Sequence, residues 1–210
     1  MTYKEILEET RLVGILRGIT PKEILEVAKL LVESGIKLIE VPLNSPDAFK
    51  SIEILVQYYK DATDVLVGAG TVCSIKDVET LKKIGAALVI SPNTDSHVIK
   101  RTNELNMISI PGFLTPSEAY TAIHAGAQSI KLFPFKNFGL SYFNDIKVIL
   151  PPNFPVIIVG GVDESNIESC LKGGMKYFGL GSSLYKPNMD LDLLKIKADF
   201  FVKAIREHNV

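Results

Sequence analysis

The chain has 210 residues, 47% of them hydrophobic and 22% charged, and a formal net charge of −1. This composition is typical of a soluble globular protein, and the length predicts one domain over residues 1–210. The balanced charge argues against nucleic-acid and membrane-surface partners, and no apolar run approaches the ~20 residues of a membrane span.

The cysteines and histidines give no support to a metal centre. Cys73 and Cys170 form neither a disulfide framework nor a metal-ligand spacing, so we expect both to be buried thiols. The three histidines are scattered along polar segments. The N-terminal segment Met1–Thr10 is charged and lacks the apolar core of a signal peptide. We therefore expect a cytoplasmic protein that uses no metal or cofactor.

Apolar, β-branched runs alternate with helical segments along the whole chain, after a short helix at Thr2–Thr10. The predicted strands are Leu12–Arg17, Leu38–Leu43, Val65–Thr71, Leu88–Ser91, Ile108–Pro111, Ser129–Phe133, Val156–Gly160 and Tyr177–Gly181. Each is followed by helical periodicity, as in Lys22–Ser34, which indicates parallel strands joined by crossover helices. Eight such units favour a (β/α)8 TIM barrel with a short extra N-terminal helix. An open doubly wound sheet is the alternative.

Three strand-to-helix turns carry helix-start signals. Thr20-Pro-Lys-Glu23 and Thr115-Pro-Ser-Glu118 each combine an N-cap hydroxyl, a proline at the first helical position and a glutamate at the third. Ser45-Pro46 repeats the first half of this pattern. In a barrel these turns lie at the edge where active sites form.

A weak internal repeat at the opposite edge aligns two charged residues. The repeat is a helix-ending glycine followed by a strand, at Gly35, Gly85, Gly126 and Gly174. Glu40 and Lys131 hold the same place in their copies. Inward side chains of alternate strands share a layer in a barrel, and the second and sixth strands face each other across its axis. We therefore expect these two side chains to meet inside the barrel.

A lone lysine in an apolar strand has a chemical and a structural interpretation. Burial lowers the pKa of Lys131, and a neutral amine in an apolar pocket is a nucleophile for carbonyl carbons, as in Schiff-base enzymes. The structural alternative is a lysine that lines the core and reaches water at the strand end. Glu40 is then either a proton shuttle or a counter-ion, and as a counter-ion it opposes activation of the amine. Buried ion pairs are poor stabilisers, which favours the chemical interpretation.

Further candidates end other strands. Arg17 either clamps a carboxylate or bridges a neighbour, and Thr71 either binds substrate or caps a turn. Val159-Gly-Gly-Val162 and Gly179-Leu-Gly-Ser182 close the seventh and eighth strands. Barrels commonly bind phosphate there through backbone N–H groups, which the glycines leave accessible.

Over essentially its whole length the chain resembles the class I 2-keto-3-deoxy-6-phospho-sugar-acid aldolases. The matching motifs are Ile15-Leu-Arg-Gly-Ile-Thr-Pro21, Glu40-Val-Pro-Leu-Asn-Ser-Pro46, Val67-Gly-Ala-Gly-Thr-Val72, Lys131-Leu-Phe-Pro134, Val159-Gly-Gly-Val162 and Gly179-Leu-Gly-Ser182. The resemblance implies a Schiff base between Lys131 and the C2 ketone, with Glu40 as the proton shuttle. The implied products are pyruvate and D-glyceraldehyde 3-phosphate.

The resemblance also implies the substrate contacts and the assembly. Arg17 and Thr71 would hold the carboxylate end of a phosphorylated sugar acid. The phosphate would lie on Gly160, Gly161, Gly181 and Ser182. Family members are usually homotrimers, so a homotrimer is expected.

Two positions resemble the phosphogalactonate branch of this family. Asn44 and Val159, together with Arg17, match that branch, whereas the phosphogluconate relatives typically carry arginine and threonine at these two positions. Phe135-Lys136 departs from the family pattern, in which smaller residues are expected, and leaves the width of the phosphate-side loop open. The alternatives are an aldolase for the gluconate epimer or for both epimers, and a non-catalytic phosphosugar sensor.

Overall fold

The computed structural model describes residues 1–208 and consists of parallel strands alternating with helices. The strands are β1 (Leu12–Ile15), β2 (Leu38–Pro42), β3 (Leu66–Gly70), β4 (Leu88–Ile90), β5 (Ile108–Ile110), β6 (Gly112–Phe113), β7 (Ile130–Leu132), β8 (Val156–Val159) and β9 (Tyr177–Leu180). The helices are α1 (Tyr3–Thr10), α2 (Ile24–Ser34), α3 (Ala48–Tyr58), α4 (Ile75–Ile84), α5 (Ser96–Glu104), α6 (Pro116–His124), α7 (Gly139–Lys147), α8 (Ile167–Lys172) and α9 (Leu191–Glu207), with a 3-10 turn at Phe135–Asn137.

The sheet closes into a barrel through its fifth predicted strand. The strand order is β5-β4-β3-β2-β1-β9-β8-β7-β6, and every pairing is parallel. The two end strands, β5 and β6, are consecutive pieces of chain that flank Pro111, which has no N–H to donate to a ladder. One piece pairs with β4 and the other with β7, so the ring is joined by the chain itself. The (β/α)8 prediction is confirmed, and the open sheet is wrong.

Alternate side chains of the strands fill the barrel interior. Its apolar members form a cluster of their own, separate from the larger core between strands and outer helices. The interior cluster contains Val13, Ile15, Leu38, Leu88, Ile90, Ile110, Ile157, Val159 and Tyr177. Ile6 and Leu7 of helix α1 belong to the same cluster, and the Tyr3 hydroxyl lies 2.7 Å from Ser129 Oγ. The predicted N-terminal helix therefore covers the end of the barrel at which the strands begin.

The outer helices dock through one apolar face each. In α2, Val27, Ala28 and Leu31 are buried against the strands, as the periodicity predicts. Burial of a Val or Leu side chain contributes about 1.5–3 kcal/mol, so these faces hold the helices on the barrel. None of the helices described in residues 1–208 is long and apolar enough to span a membrane.

The predicted helix ends are largely correct, and two helix starts are not. The glycines at positions 35, 85, 126 and 174 all adopt left-handed φ angles. Thr115 and Glu118 form the predicted capping box. The helix expected after Thr20 begins only at Ile24, and the Thr20 hydroxyl donates to the Glu23 carboxylate and caps no backbone N–H. Ser45 caps no helix, since its Oγ accepts a 2.9 Å hydrogen bond from the Gly18 N–H.

Candidate active site

Lys131 and Glu40 enter the barrel from strands that do not adjoin each other. Lys131 is at the centre of β7 and Glu40 at the centre of β2, and both side chains line one small internal chamber of about 10 Å³. They are 6% and 3% exposed, so both ionisable groups lie in the core. The ion pairs within residues 1–208 do not include this couple. The two groups therefore act on each other across the chamber, without a direct salt bridge.

Burial sets the protonation tendencies of the pair. It lowers the pKa of Lys131 and raises the pKa of Glu40, because both charged forms lose hydration. Their mutual attraction opposes both shifts. Arg17 lowers the pKa of both groups, since its positive charge repels the ammonium and attracts the carboxylate. Burial is the largest of these effects, so each group is moved toward its neutral form, in which a lysine is nucleophilic and a carboxyl group can give up a proton.

Glycine makes room for the carboxyl group of Glu40. A Cβ added to Gly70, at the end of β3, would lie 1.7 Å from Glu40 Oε1. The next residue, Thr71, has a left-handed φ of 59°, which is strained for a β-branched side chain. On the opposite side, Lys131 Nζ lies 5.2 Å from the centroid of the Phe133 ring. Alternation along the strand puts Lys131 and Phe133 on the same face, so the sequence already contained the signal for this contact.

Arg17 and Asn44 meet at the open end of the barrel. Arg17 Nη1 donates a 2.6 Å hydrogen bond to Asn44 Oδ1, and both side chains are exposed. This bond fixes the orientation of a guanidinium that remains free to bind an anion through its other N–H groups. Thr71 is half-buried just beyond β3. Arg17, Asn44 and Thr71 thus all lie one or two residues beyond the ends of their strands, at the edge of the barrel where substrate contacts are predicted.

A larger cavity of about 440 Å³ opens beside the chamber. It is lined by Arg17, Val159, Gly160, Gly161, Gly181 and Ser182, together with Ile15, Gly18, Phe133, Val162, Gly179, Ser183, Tyr185, Lys186 and Pro187. Gly160 and Gly161 have φ angles of 92° and 95°, which side-chain-bearing residues rarely adopt. Val159 also lines the smaller chamber, so the two spaces adjoin. The residues predicted for phosphate therefore lie together, next to the lysine.

The departure at Phe135-Lys136 leaves this cavity open. Phe135 is 6% exposed and belongs to the outer core, so its ring points away from the cavity. The stem of Lys136 crosses Gly161, where an added Cβ would lie 2.5 Å from Lys136 Cβ. The Lys136 N–H donates 2.8 Å to the Gly160 carbonyl. The larger residues pack around the glycine pair and do not fill the site.

Comparison with known proteins identifies the family of the chain. The family model described as KDPG and KHG aldolase matches residues 3–198. The chain belongs to the KDPG and KHG aldolase family.

Individual members of the KDPG and KHG aldolase family cover most of the chain. The Escherichia coli K12 protein named 2-dehydro-3-deoxy-6-phosphogalactonate aldolase is 40% identical over 93% of this chain and 95% of its own length. A Rhizobium meliloti protein named as a probable aldolase of the same kind is 43% identical, over 86% of this chain and 84% of its own. The solved "Native KDPGal structure" has a TM-score of 0.90 at 40% identity and covers 94% of this chain and 95% of that one.

The sequence wrongly predicted that Cys73 is buried, and it did not identify Lys186 as a site residue. Cys73 is exposed, whereas Cys170 is buried as expected. Partial burial raises the pKa of the Cys73 thiol, Asp77 raises it further, and Lys131 lowers it to a smaller degree. Lys186 lines the larger cavity, but it lies in a loop after the last strand and no sequence motif marked it.

Proposed function

We propose that the protein is a class I aldolase that cleaves 2-dehydro-3-deoxy-6-phospho-D-galactonate to pyruvate and D-glyceraldehyde 3-phosphate. The observation that carries the proposal is the burial of Lys131 and Glu40 in one chamber beside a glycine-lined cavity. Relatives of 40% and 43% identity that bear this activity in their names support the substrate.

The bond changes begin at the amine. Neutral Lys131 attacks the C2 ketone, and the carbinolamine loses water to give a protonated Schiff base. Glu40 donates the proton that the departing hydroxyl needs. It then accepts the C4 hydroxyl proton as the C3–C4 bond breaks, and the bonding electrons pass into the C2 iminium to form an enamine. The aldehyde leaves, Glu40 returns a proton to C3, and water releases pyruvate.

The remaining residues hold the two ends of the substrate in this proposal. Arg17 and Thr71 bind the carboxylate, and Asn44 and Val159 face the region of C4. The phosphate lies on the backbone N–H groups of Gly160, Gly161 and Gly181 and on the Ser182 hydroxyl, which satisfy its oxygens without side-chain bulk. The iminium is the electron sink for bond cleavage, so the proposed route uses no cofactor.

The proposal also covers the setting of the enzyme. One (β/α)8 domain over residues 1–210 forms the catalytic unit, and we place it in the cytoplasm as a homotrimer. Sedimentation equilibrium of the purified chain tests the assembly. A monomer at catalytic concentrations would contradict that part of the proposal and leave the chemistry unaffected.

Borohydride reduction in the presence of pyruvate tests the Schiff base. Peptide mass analysis should place a covalent pyruvate adduct on Lys131, and Lys131→Met should form none. An unmodified wild-type chain that still binds inorganic phosphate would favour the non-catalytic phosphosugar sensor. The reduction tests the lysine alone, because pyruvate carries no phosphate and no C4 centre.

Kinetics on the two C4 epimers tests the substrate. The galactonate should have the larger kcat/KM. A clear preference for the gluconate epimer would refute the assignment that rests on Asn44 and Val159, and equal rates would indicate an enzyme for both.

A further inference from the structure

The larger cavity has charged side chains of only one sign among the residues that line it. Arg17 and Lys186 are its two cations, and no aspartate or glutamate is among its lining residues. Arg17 already donates to Asn44, at 2.6 Å. Lys186 takes part in none of the ion pairs formed within residues 1–208. A lysine without a counter-ion beside glycine backbone is a ready partner for a bound anion.

The loop that carries Lys186 is anchored on both sides of the cavity. The Leu184 and Tyr185 N–H groups both donate 2.9 Å bonds to the Gly181 carbonyl, and both side chains are buried. On the other side, Pro187 packs on Gly18, where an added Cβ would lie 2.8 Å from Pro187 Cγ. The backbone of Lys186 is thus fixed at the cavity mouth, and only its side chain must be ordered on binding.

We infer that Lys186 is the side-chain counter-ion of the substrate phosphate and selects phosphorylated over unphosphorylated sugar acids. This inference rests on the proposed function. The glycine N–H groups supply dipoles, and a phosphate monoester carries a charge of about −1.5 to −2 at pH 7. A lysine ammonium supplies the net positive charge that backbone dipoles lack. The ammonium acts as a point charge, and its flexible stem lets it follow the phosphate oxygens.

Lys136 is the matched comparison because it is nearby but differently placed. Its stem packs on Gly161, yet it is not among the residues that line the cavity. Lys136 contributes to the lowered pKa of Asp163, to a smaller degree than the hydrogen bonds from Ser165 do. Lys136→Met keeps the apolar stem over the glycine and removes the same charge as Lys186→Met. Comparison of the two variants therefore distinguishes a direct contact with phosphate from the general electrostatic potential of the surface.

The test compares wild type with Lys186→Met, Lys186→Arg and Lys136→Met. The measurements are inhibition by inorganic phosphate, KM and kcat for the phosphorylated substrate, and borohydride trapping of pyruvate on Lys131. We expect Lys186→Met to raise both the phosphate inhibition constant and KM by about 10- to 100-fold, as for a lost hydrogen bond to a charged group. Lys186→Arg should restore most of the loss, and Lys136→Met should change these values by no more than about twofold.

The salt dependence of phosphate binding and the trapping of pyruvate distinguish a charge contact from a purely structural role of Lys186. Added NaCl should weaken phosphate binding more in wild type than in Lys186→Met, because the screened charge is already absent in the variant. Trapping of pyruvate should be equal in all four proteins, since pyruvate carries no phosphate. Unchanged phosphate inhibition in Lys186→Met, or an equal loss in Lys136→Met, would overturn the inference. Absence of any pyruvate adduct in wild type would instead refute the proposed function.

Discussion

The carboxyl group of Glu40 occupies the space in which any side chain at Gly70 would lie. An added Cβ at Gly70 would come within 1.7 Å of Glu40 Oε1 and 2.5 Å of the carboxyl carbon. Strands β2 and β3 are adjacent, with Pro42 opposite Gly70 in the register. The third strand therefore sets the position of a group that belongs to the second, and the chamber depends on the absence of one methyl group.

Gly70→Ala should reduce catalysis by displacing Glu40. Loss of a positioned proton shuttle lowers turnover by about 10²- to 10⁴-fold, so kcat should fall into this range. Inhibition by inorganic phosphate should be unchanged, because the glycine-rich cavity is separate from Gly70. Steady-state kinetics measures both kcat and the phosphate inhibition constant.

The control is Gly139→Ala, whose added Cβ has no atom within 4 Å. It should lose about 1 kcal/mol of stability through its left-handed φ and keep full activity. A fully active Gly70→Ala protein would show that Glu40 needs no fixed position.

Glu40→Gln should lower the pKa of Lys131 further while it slows turnover. The carboxylate raises the pKa of this amine, against the larger effect of burial. Without the carboxylate the amine should lose its proton at lower pH, and it should react faster with cyanate near neutral pH. The measurement is the pH dependence of carbamylation at Lys131, followed by peptide mass analysis.

Arg17→Met should raise the pKa of Lys131, which is the opposite of the change expected for Glu40→Gln. Arg17 lowers the pKa of Lys131, so removal of its charge should move the carbamylation midpoint to higher pH. Equal midpoints in wild type and in both variants would mean that the chamber does not couple these groups. A Glu40→Gln protein that retained full turnover would show that the carboxyl group is only a counter-ion.

Sequence patterns predicted the barrel and the meeting of Lys131 and Glu40 in its interior, because both depend on short-range periodicity. The break at Pro111 and the bond from Gly18 to Ser45 were not predicted, since each depends on which distant backbone lies opposite. The prediction that Cys73 is buried was wrong for a similar reason. A cysteine just past a buried strand is expected in the core unless the surrounding loops are known. The position of Lys186 follows from the packing of Pro187 on Gly18, a contact between the two ends of the chain that no local motif encodes.

Asn44→Arg combined with Val159→Thr should shift the epimer preference toward the gluconate. Asn44 accepts a hydrogen bond from Arg17, and an arginine in its place would repel that guanidinium and free it to move. Val159 borders both cavities, where a threonine hydroxyl would offer a hydrogen bond near C4. The ratio of kcat/KM values for galactonate over gluconate should fall by about 10-fold or more. An unchanged ratio with both activities intact would remove these two residues from the account of specificity.

Tyr3→Phe should weaken the N-terminal cover of the barrel without changing its chemistry. The Tyr3 hydroxyl lies 2.7 Å from Ser129 Oγ, and the Ser129 side chain is completely buried. Removal of the phenol oxygen leaves the serine hydroxyl without this partner, which costs about 1–3 kcal/mol in the free energy of unfolding. Urea denaturation of Tyr3→Phe, Ser129→Ala and the double variant should show that the two single losses are not additive.

The kcat of each variant should match wild type, because the contact lies at the opposite end of the barrel from the Lys131 chamber mouth. A parallel fall in kcat would mean that helix α1 controls the position of Lys131 through Ser129, which directly precedes strand β7.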